Sequence, residues 1–144
     1  MRTIIGIIVH HSAGPSTETV SAIRRYHTQV RKWSDIGYHY VIRLAEDGRW
    51  RVEPGRPMSK DGAHDDGQNH GTVGICICGD YSKGPVSAEA WALLASTVVT
   101  LCHAFGLSAE QVEGHKEHET AASATLCPGF DPEVLREAVR RQMA

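Results

Sequence analysis

The sequence predicts a single α/β domain: one central mixed sheet of about five strands, flanked by helices. Three observations lead there. First, β-branched apolar runs at residues 3–9 and 72–78 alternate along the chain with helical periodicity at 17–32, 90–107 and from Asp131 onward. Second, the run at 3–9 is apolar at both parities, the pattern of a strand covered on both faces. Third, 144 residues suffice for one ordinary hydrophobic core but not for two. No internal repeat, linker or low-complexity tract interrupts the chain, so residues 1–144 are read as one domain.

Each element follows from local chemistry. Gly14 and Pro15 turn the chain out of the first strand. Ser16 or Thr17 then caps a helix to residue 32, with Val20, Ile23 and Tyr26 or His27 facing inward. Residues 37–44 return to a strand, Asp47-Gly48 supplies a hairpin turn, and 49–53 is the second arm. The stretch 54–71, rich in Gly, Pro, Asp, Asn and His, lacks periodicity; loops of that length in a compact domain are usually functional. Residues 72–78 form another strand. Ser87 caps the next helix, whose segment 90–107 carries no formal charge and approaches the length of a membrane span. Ser96, Thr100 and His103 nevertheless recur at helical spacing opposite Trp91, Leu94, Ala95, Val98, Leu101, Cys102 and Phe105, so the segment is expected to pack on the core. Ser108 and Gln111 form a capping box, and residues 112–114 a last short strand. A second irregular stretch runs to Phe130. Asp131-Pro132 starts the final helix, with Val134, Leu135, Ala138 and Val139 as its apolar face.

Charge narrows the partners. Fifteen Lys and Arg against seventeen Asp and Glu give a net charge of −2, so no single-sign field recommends nucleic acid or an anionic membrane. The apolar run that starts at Ile4 follows only Arg2 and lacks a small-residue cleavage site, which reads as a strand and not a signal peptide. Synthesis in the cytoplasm is therefore expected. With no heptad and a near-neutral surface, a monomer is the expectation.

The chemistry concentrates in nine His and four Cys. His10 and His11 fall at the end of the first strand, His115 at the end of the last, and Cys127 in the loop after it. The crevice beyond strand carboxyl ends is the usual place for a site in open α/β sheets. Two imidazoles and one thiolate are a sensible zinc set that leaves a fourth position for water. Spacing alone leaves an alternative open: a satisfied core histidine at His10 and a small buried hydrophobe at Cys127. Cys76 and Cys78, as Cys-x-Cys, suit neither a zinc knuckle nor a redox pair and, with Cys102, read as packing.

Five groups of residues then occur in order: Val9-His10-His11-Ser12-Ala13; Trp33-Ser34-Asp35-Ile36-Gly37-Tyr38-His39-Tyr40; Gly62-Ala63-His64 with Gln68-Asn69; Gly74-Ile75-Cys76; and Gly114-His115 with Cys127-Pro128-Gly129. Over residues 3–140 this series resembles the zinc-dependent N-acetylmuramoyl-L-alanine amidases of the type-2 amidase and peptidoglycan-recognition superfamily, most closely its short phage lysozymes, or endolysins. The resemblance implies hydrolysis of the amide between N-acetylmuramic acid and L-alanine. The partner would be peptidoglycan, as its muramyl peptide, and the cofactor one zinc per chain. It implies metal ligands at His10, His115 and Cys127. His11 is then the neighbour on the rim, since strand alternation puts the two histidines on opposite faces. His118 sits in a region read as loop and is not expected to bind the metal.

A thiolate ligand makes zinc a weaker Lewis acid than three neutral imidazoles would, so a second group is needed at the scissile carbonyl. By resemblance that group is Tyr38. His39 alternates with it, so one of the two should face away unless a bulge intervenes, and His39 is placed with His11 at the rim of the site. The phage lysozymes carry Lys two residues before the Cys, where this chain has Thr125, as amidase-active peptidoglycan-recognition proteins do. Its hydroxyl offers one neutral hydrogen bond and no positive charge. Lys116 is the alternative source of that charge, against its reading as a solvated surface residue. His64, Asn69 and, from the rim, His11 are expected to contact the muramyl peptide. The resemblance also offers an alternative function, a non-catalytic recognition module; such members have lost a metal ligand, above all the Cys, and here all three positions are filled.

Overall fold

A computed structural model of the protein describes residues 2–118 and 125–144. Met1 and residues 119–124, the middle of the second irregular stretch, lie outside the described residues. Five strands form one mixed sheet in the order β3-β2-β4-β1-β5, with β1 at Gly6–His11, β2 at Tyr40–Leu44, β3 at Trp50–Pro54, β4 at Thr72–Ile77 and β5 at Val112–Gly114. β1 runs parallel to both β4 and β5, and β2 parallel to β4. Only the β2–β3 hairpin is antiparallel, closed by Gly48 at φ +81° and by Asp47 Oδ1, which accepts the Arg49 N–H at 3.0 Å.

Side-chain alternation sorts the sheet into two faces. Ile7, Val9, Ile42, Val73, Ile75 and Ile77 face α2 (Ala88–Phe105) and α3 (Pro132–Met143), and form the main core with Leu94, Ala95, Val98, Leu101, Leu135 and Val139. The α2 stripe is laid on that face, while Ser96, Thr100 and His103 are exposed. Ser87 caps α2 by accepting the Ala90 N–H, and Gly106 ends it in the left-handed region. Asp131 caps α3. Of the apolar face expected for α3, Leu135 and Val139 are buried but Val134 is exposed. Its neighbour Pro132 takes the inward place instead, against Gly114.

The other face carries His10, Thr72, Gly74 and Cys76, with His10 opposite Cys76 and Ile8 opposite Gly74. Here the helical segment read at 17–32 departs from a plain helix. Thr19, not Ser16 or Thr17, is the cap, accepting the Ala22 N–H at 3.0 Å. The α-helix α1 spans Val20–Arg25 only, and a wider π turn, Tyr26–Val30, follows it. The reason is local: His27 Nδ1 accepts the Gly37 N–H at 2.8 Å and its ring lies 4.6 Å from that of Trp33, so the turn is fitted to the segment entering β2. The first strand extends to His11, two residues beyond the sequence reading, because β4 continues to pair with it. β2 begins at Tyr40 and not at residue 37.

Candidate metal centre and substrate groove

One ligand atom each from His10, His115 and Cys127 lies within 4.8 Å of the other two, which makes these residues a metal-competent cluster. β1 delivers His10, the 3-10 turn His115–His118 directly after β5 delivers His115, and the segment before α3 delivers Cys127. Cys127 Sγ is 3.6 Å from His10 Nδ1 and accepts the His11 N–H at 3.3 Å. The rings of His10 and His115 meet edge to face at 4.8 Å.

Burial keeps the ligating groups of the site uncharged, with lone pairs available to a metal. Burial holds His10 well below the ordinary imidazole value, and the neighbouring His64 and His115 lower it further. Burial likewise takes His64 down to about 3 and pushes the Cys127 thiol up to about 12. Neutral imidazoles beside a thiol offer three lone-pair donors, and a divalent cation bound to them is what would let such a thiol release its proton. The donor set therefore fits zinc chemically.

Tyr38 lies against the cluster, its ring 5.3 Å from that of His10. Burial, followed by the nearby thiols of Cys76 and Cys127, raises its pKa well above 10, so the hydroxyl is a neutral donor. Thr125 Oγ1 accepts the Cys127 N–H at 3.1 Å. His11 shares the groove, and its ring Nδ1 accepts the Tyr81 N–H at 3.1 Å, which turns that nitrogen away from the cluster. His39 is not at the rim as expected: it is buried away from the groove, where its Nδ1 accepts the Gly74 N–H at 3.0 Å and its Nε2 meets Arg2 and the Lys60 carbonyl. His118 stands on the same turn as His115 but outside the cluster, between Asp65 and Glu113. Burial opposes its charge, yet hydrogen bonds to those two carboxylates raise its pKa overall.

The structure brings His64 and Asn69 to the same groove, and gives both internal work. His64 is only 7% exposed, with ring nitrogens 2.9 Å from His10 Nε2 and 3.3 Å from Thr72 Oγ1. Asn69 Oδ1 accepts the N–H groups of His64 and Asp65. The groove continues past Tyr38 to His27, Arg31 and Trp33. Arg31 lies 5.8 Å from the Tyr26 ring centre and 5.6 Å from that of Trp33. Sequence reasoning offered either Tyr26 or His27 as the inward residue and passed over Arg31 and Asp65. The signal for His27 and Arg31 was present: four residues apart, they share one face of a helical segment.

Comparison with known proteins identifies the family and the fold. The family model for N-acetylmuramoyl-L-alanine amidase matches residues 1–130. The chain is 35% identical over 132 residues to the endolysin of Escherichia phage T7, covering 87% of this chain and 80% of that protein. It is 30% identical over 130 residues to peptidoglycan-recognition protein SD of Drosophila simulans, covering 85% of this chain and 66% of that one. Its fold matches the N-acetylmuramoyl-L-alanine amidase LysC from Clostridium intestinale with a TM-score of 0.81 at 28% identity, over 94% of this chain and 85% of LysC.

Proposed function

The chain belongs to the N-acetylmuramoyl-L-alanine amidase family, and on that footing we propose that His10, His115 and Cys127 hold one zinc ion at the head of the groove. The enzyme hydrolyses the amide between the lactyl group of N-acetylmuramic acid and L-alanine in peptidoglycan, as the lytic enzyme of a phage or prophage. The observation that carries this reading is the convergence of two imidazoles and a thiol within 4.8 Å of one another, in a groove that continues past Tyr38. Zinc, when bound, supplies a Lewis acid that activates water and polarises the amide carbonyl.

The chain's own residues do the rest. Tyr38 keeps its proton on the hydroxyl oxygen and donates a hydrogen bond to the carbonyl oxygen as negative charge gathers there. Thr125, two residues before Cys127, positions the thiolate segment through its bond to the Cys127 N–H and presents its hydroxyl to the same oxygen. His11, His64 and Asn69 form the groove wall that receives the muramyl end. Arg31, with its guanidinium set by Tyr26 and Trp33, faces the stem peptide, whose carboxylates suit a cation. The protein acts as a monomer, made in the cytoplasm and reaching the wall after release.

The test is direct. Purified protein with zinc restored is incubated with cell walls of several chemotypes, and free L-alanine amino termini are counted. Their release, lost in a folded Cys127→Ser variant, supports the reading. Wall binding with no release supports a recognition module instead. Unfolding on chelation, in place of simple inactivation, supports a purely structural metal.

A further inference from the structure

We propose that His64 and Asp65, consecutive residues of the loop between β3 and β4, are positioning residues that each hold one of the two ligand imidazoles, and that Asn69 sets both. This rests on the zinc reading above.

The first half is a chain of hydrogen bonds whose direction is fixed at its far end. Thr72 Oγ1 donates its only proton to the Gln68 carbonyl at 2.7 Å. Toward His64 Nε2, 3.3 Å away, the same oxygen must then accept, so His64 carries its proton on Nε2. That leaves a lone pair on His64 Nδ1, which lies 2.9 Å from His10 Nε2. His10 therefore donates from Nε2 and turns a bare Nδ1 toward Cys127 Sγ. The tautomer required of a metal ligand is thus written into a network that ends at a backbone carbonyl.

The second half uses a carboxylate. Asp65 is 5% exposed, with Oδ1 3.6 Å from His115 Nε2 and Oδ2 2.6 Å from His118 Nδ1. His118 Nε2 is in turn 3.0 Å from Glu113 Oε2. The His118 bridge holds the carboxylate in place, and its Oδ1, at ion-pair and not hydrogen-bond distance, favours by its charge a proton on His115 Nε2, leaving Nδ1 for the metal. Outer partners of this kind fix ring orientation and raise ligand basicity. The two halves are joined because Asn69 Oδ1 accepts from the backbone of both residues, at 2.8 Å from His64 N and 3.0 Å from Asp65 N. One amide oxygen thereby sets the approach of both outer partners.

The experiment measures zinc dissociation constants of the full chain by competition with a chromogenic chelator. The visible spectrum of the cobalt(II)-substituted protein reports ligand geometry, and far-UV circular dichroism reports the fold. His64→Leu and Asp65→Asn are each expected to weaken zinc binding about 10- to 100-fold and to shift the cobalt spectrum with the fold intact. Asn69→Leu should weaken it more than either. His64→Gln, whose side-chain oxygen still accepts from His10, should recover most of the affinity. Zinc affinities and cobalt spectra of His64→Leu and Asp65→Asn indistinguishable from the parent would overturn the proposal. If His64→Leu does not fold, Asp65→Asn and His64→Gln decide by the same criteria. A parent protein that binds no zinc overturns the metal reading itself, and this inference with it.

Discussion

Gly74 lies directly against the ring of His64: a Cβ built at Gly74 would stand 2.4 Å from His64 Cδ2 and 2.5 Å from Cγ. The absence of a side chain in the middle of a buried central strand is thus what makes room for an imidazole behind the cluster. Gly74→Ala should cost about 1–3 kcal/mol of stability, the usual range for overpacking a tight interior, and should displace His64 from His10. Urea unfolding and zinc content of the purified variant check both parts. A variant as stable as the parent with its full zinc content would contradict the account.

Tyr38 is the one hydroxyl whose ring packs on a ligand ring, at 5.3 Å from His10, among the described residues. Removing a donor aimed at a developing oxyanion costs roughly 100- to 1,000-fold in turnover. Tyr38→Phe is therefore expected to lose about that much in kcat while keeping its zinc and its KM. Steady-state kinetics on a soluble muramyl peptide, with metal analysis alongside, separates this from a loss of binding.

Arg31 should act oppositely. Its guanidinium lies over the Tyr26 and Trp33 rings in the groove lining and is not among the cluster residues, so Arg31→Ala is expected to raise KM for stem peptides bearing free carboxylates and to leave kcat near its parent value. Amidated stem peptides should show a smaller difference. Equal effects on both substrates would remove Arg31 from the peptide site.

Stability should fall in acid through His27. Burial, then the positive charges of Arg31 and Arg56, lower this imidazole from its ordinary 6.5 to about 4, and its Nδ1 is occupied by the Gly37 N–H. Below pH about 6.5 the unfolded chain takes up a proton that the folded chain refuses, down to about pH 4. His27 thus adds stability above that window, lost as the pH falls through it at up to about 1.4 kcal/mol per pH unit. His27→Gln keeps an acceptor but cannot titrate. Its unfolding free energy should depend less steeply on pH over that window, and the difference from the parent isolates His27 from the other buried imidazoles. Parallel profiles would contradict the assignment.

Much of this was legible in the residues. The alternation of strands and helices, the Asp47-Gly48 hairpin, the Ser87 and Asp131 caps, and the Ser108-Gln111 box are local signals, each decided within a few neighbours. His10, His115 and Cys127 were legible as strand-end and loop residues. What lay behind them was not. His64 meets His10 across 54 positions of sequence, and Asp65 meets His118 across 53. No periodicity encodes such distant pairings, and polar loop residues look alike whether they face substrate or brace a ligand. The π turn at Tyr26–Val30 was hidden for a similar reason, since it is shaped by the contact of His27 with Gly37 and not by helix propensity.

The central claim is that His10, His115 and Cys127 hold zinc, and anomalous scattering recorded on either side of the zinc edge tests it most directly. The account predicts one peak per chain, bonded to His10 Nδ1 and a ring nitrogen of His115 at about 2.0–2.1 Å and to Cys127 Sγ at about 2.3 Å. No peak from zinc-equilibrated crystals, or a peak bound instead by His118 and Glu113, would contradict it.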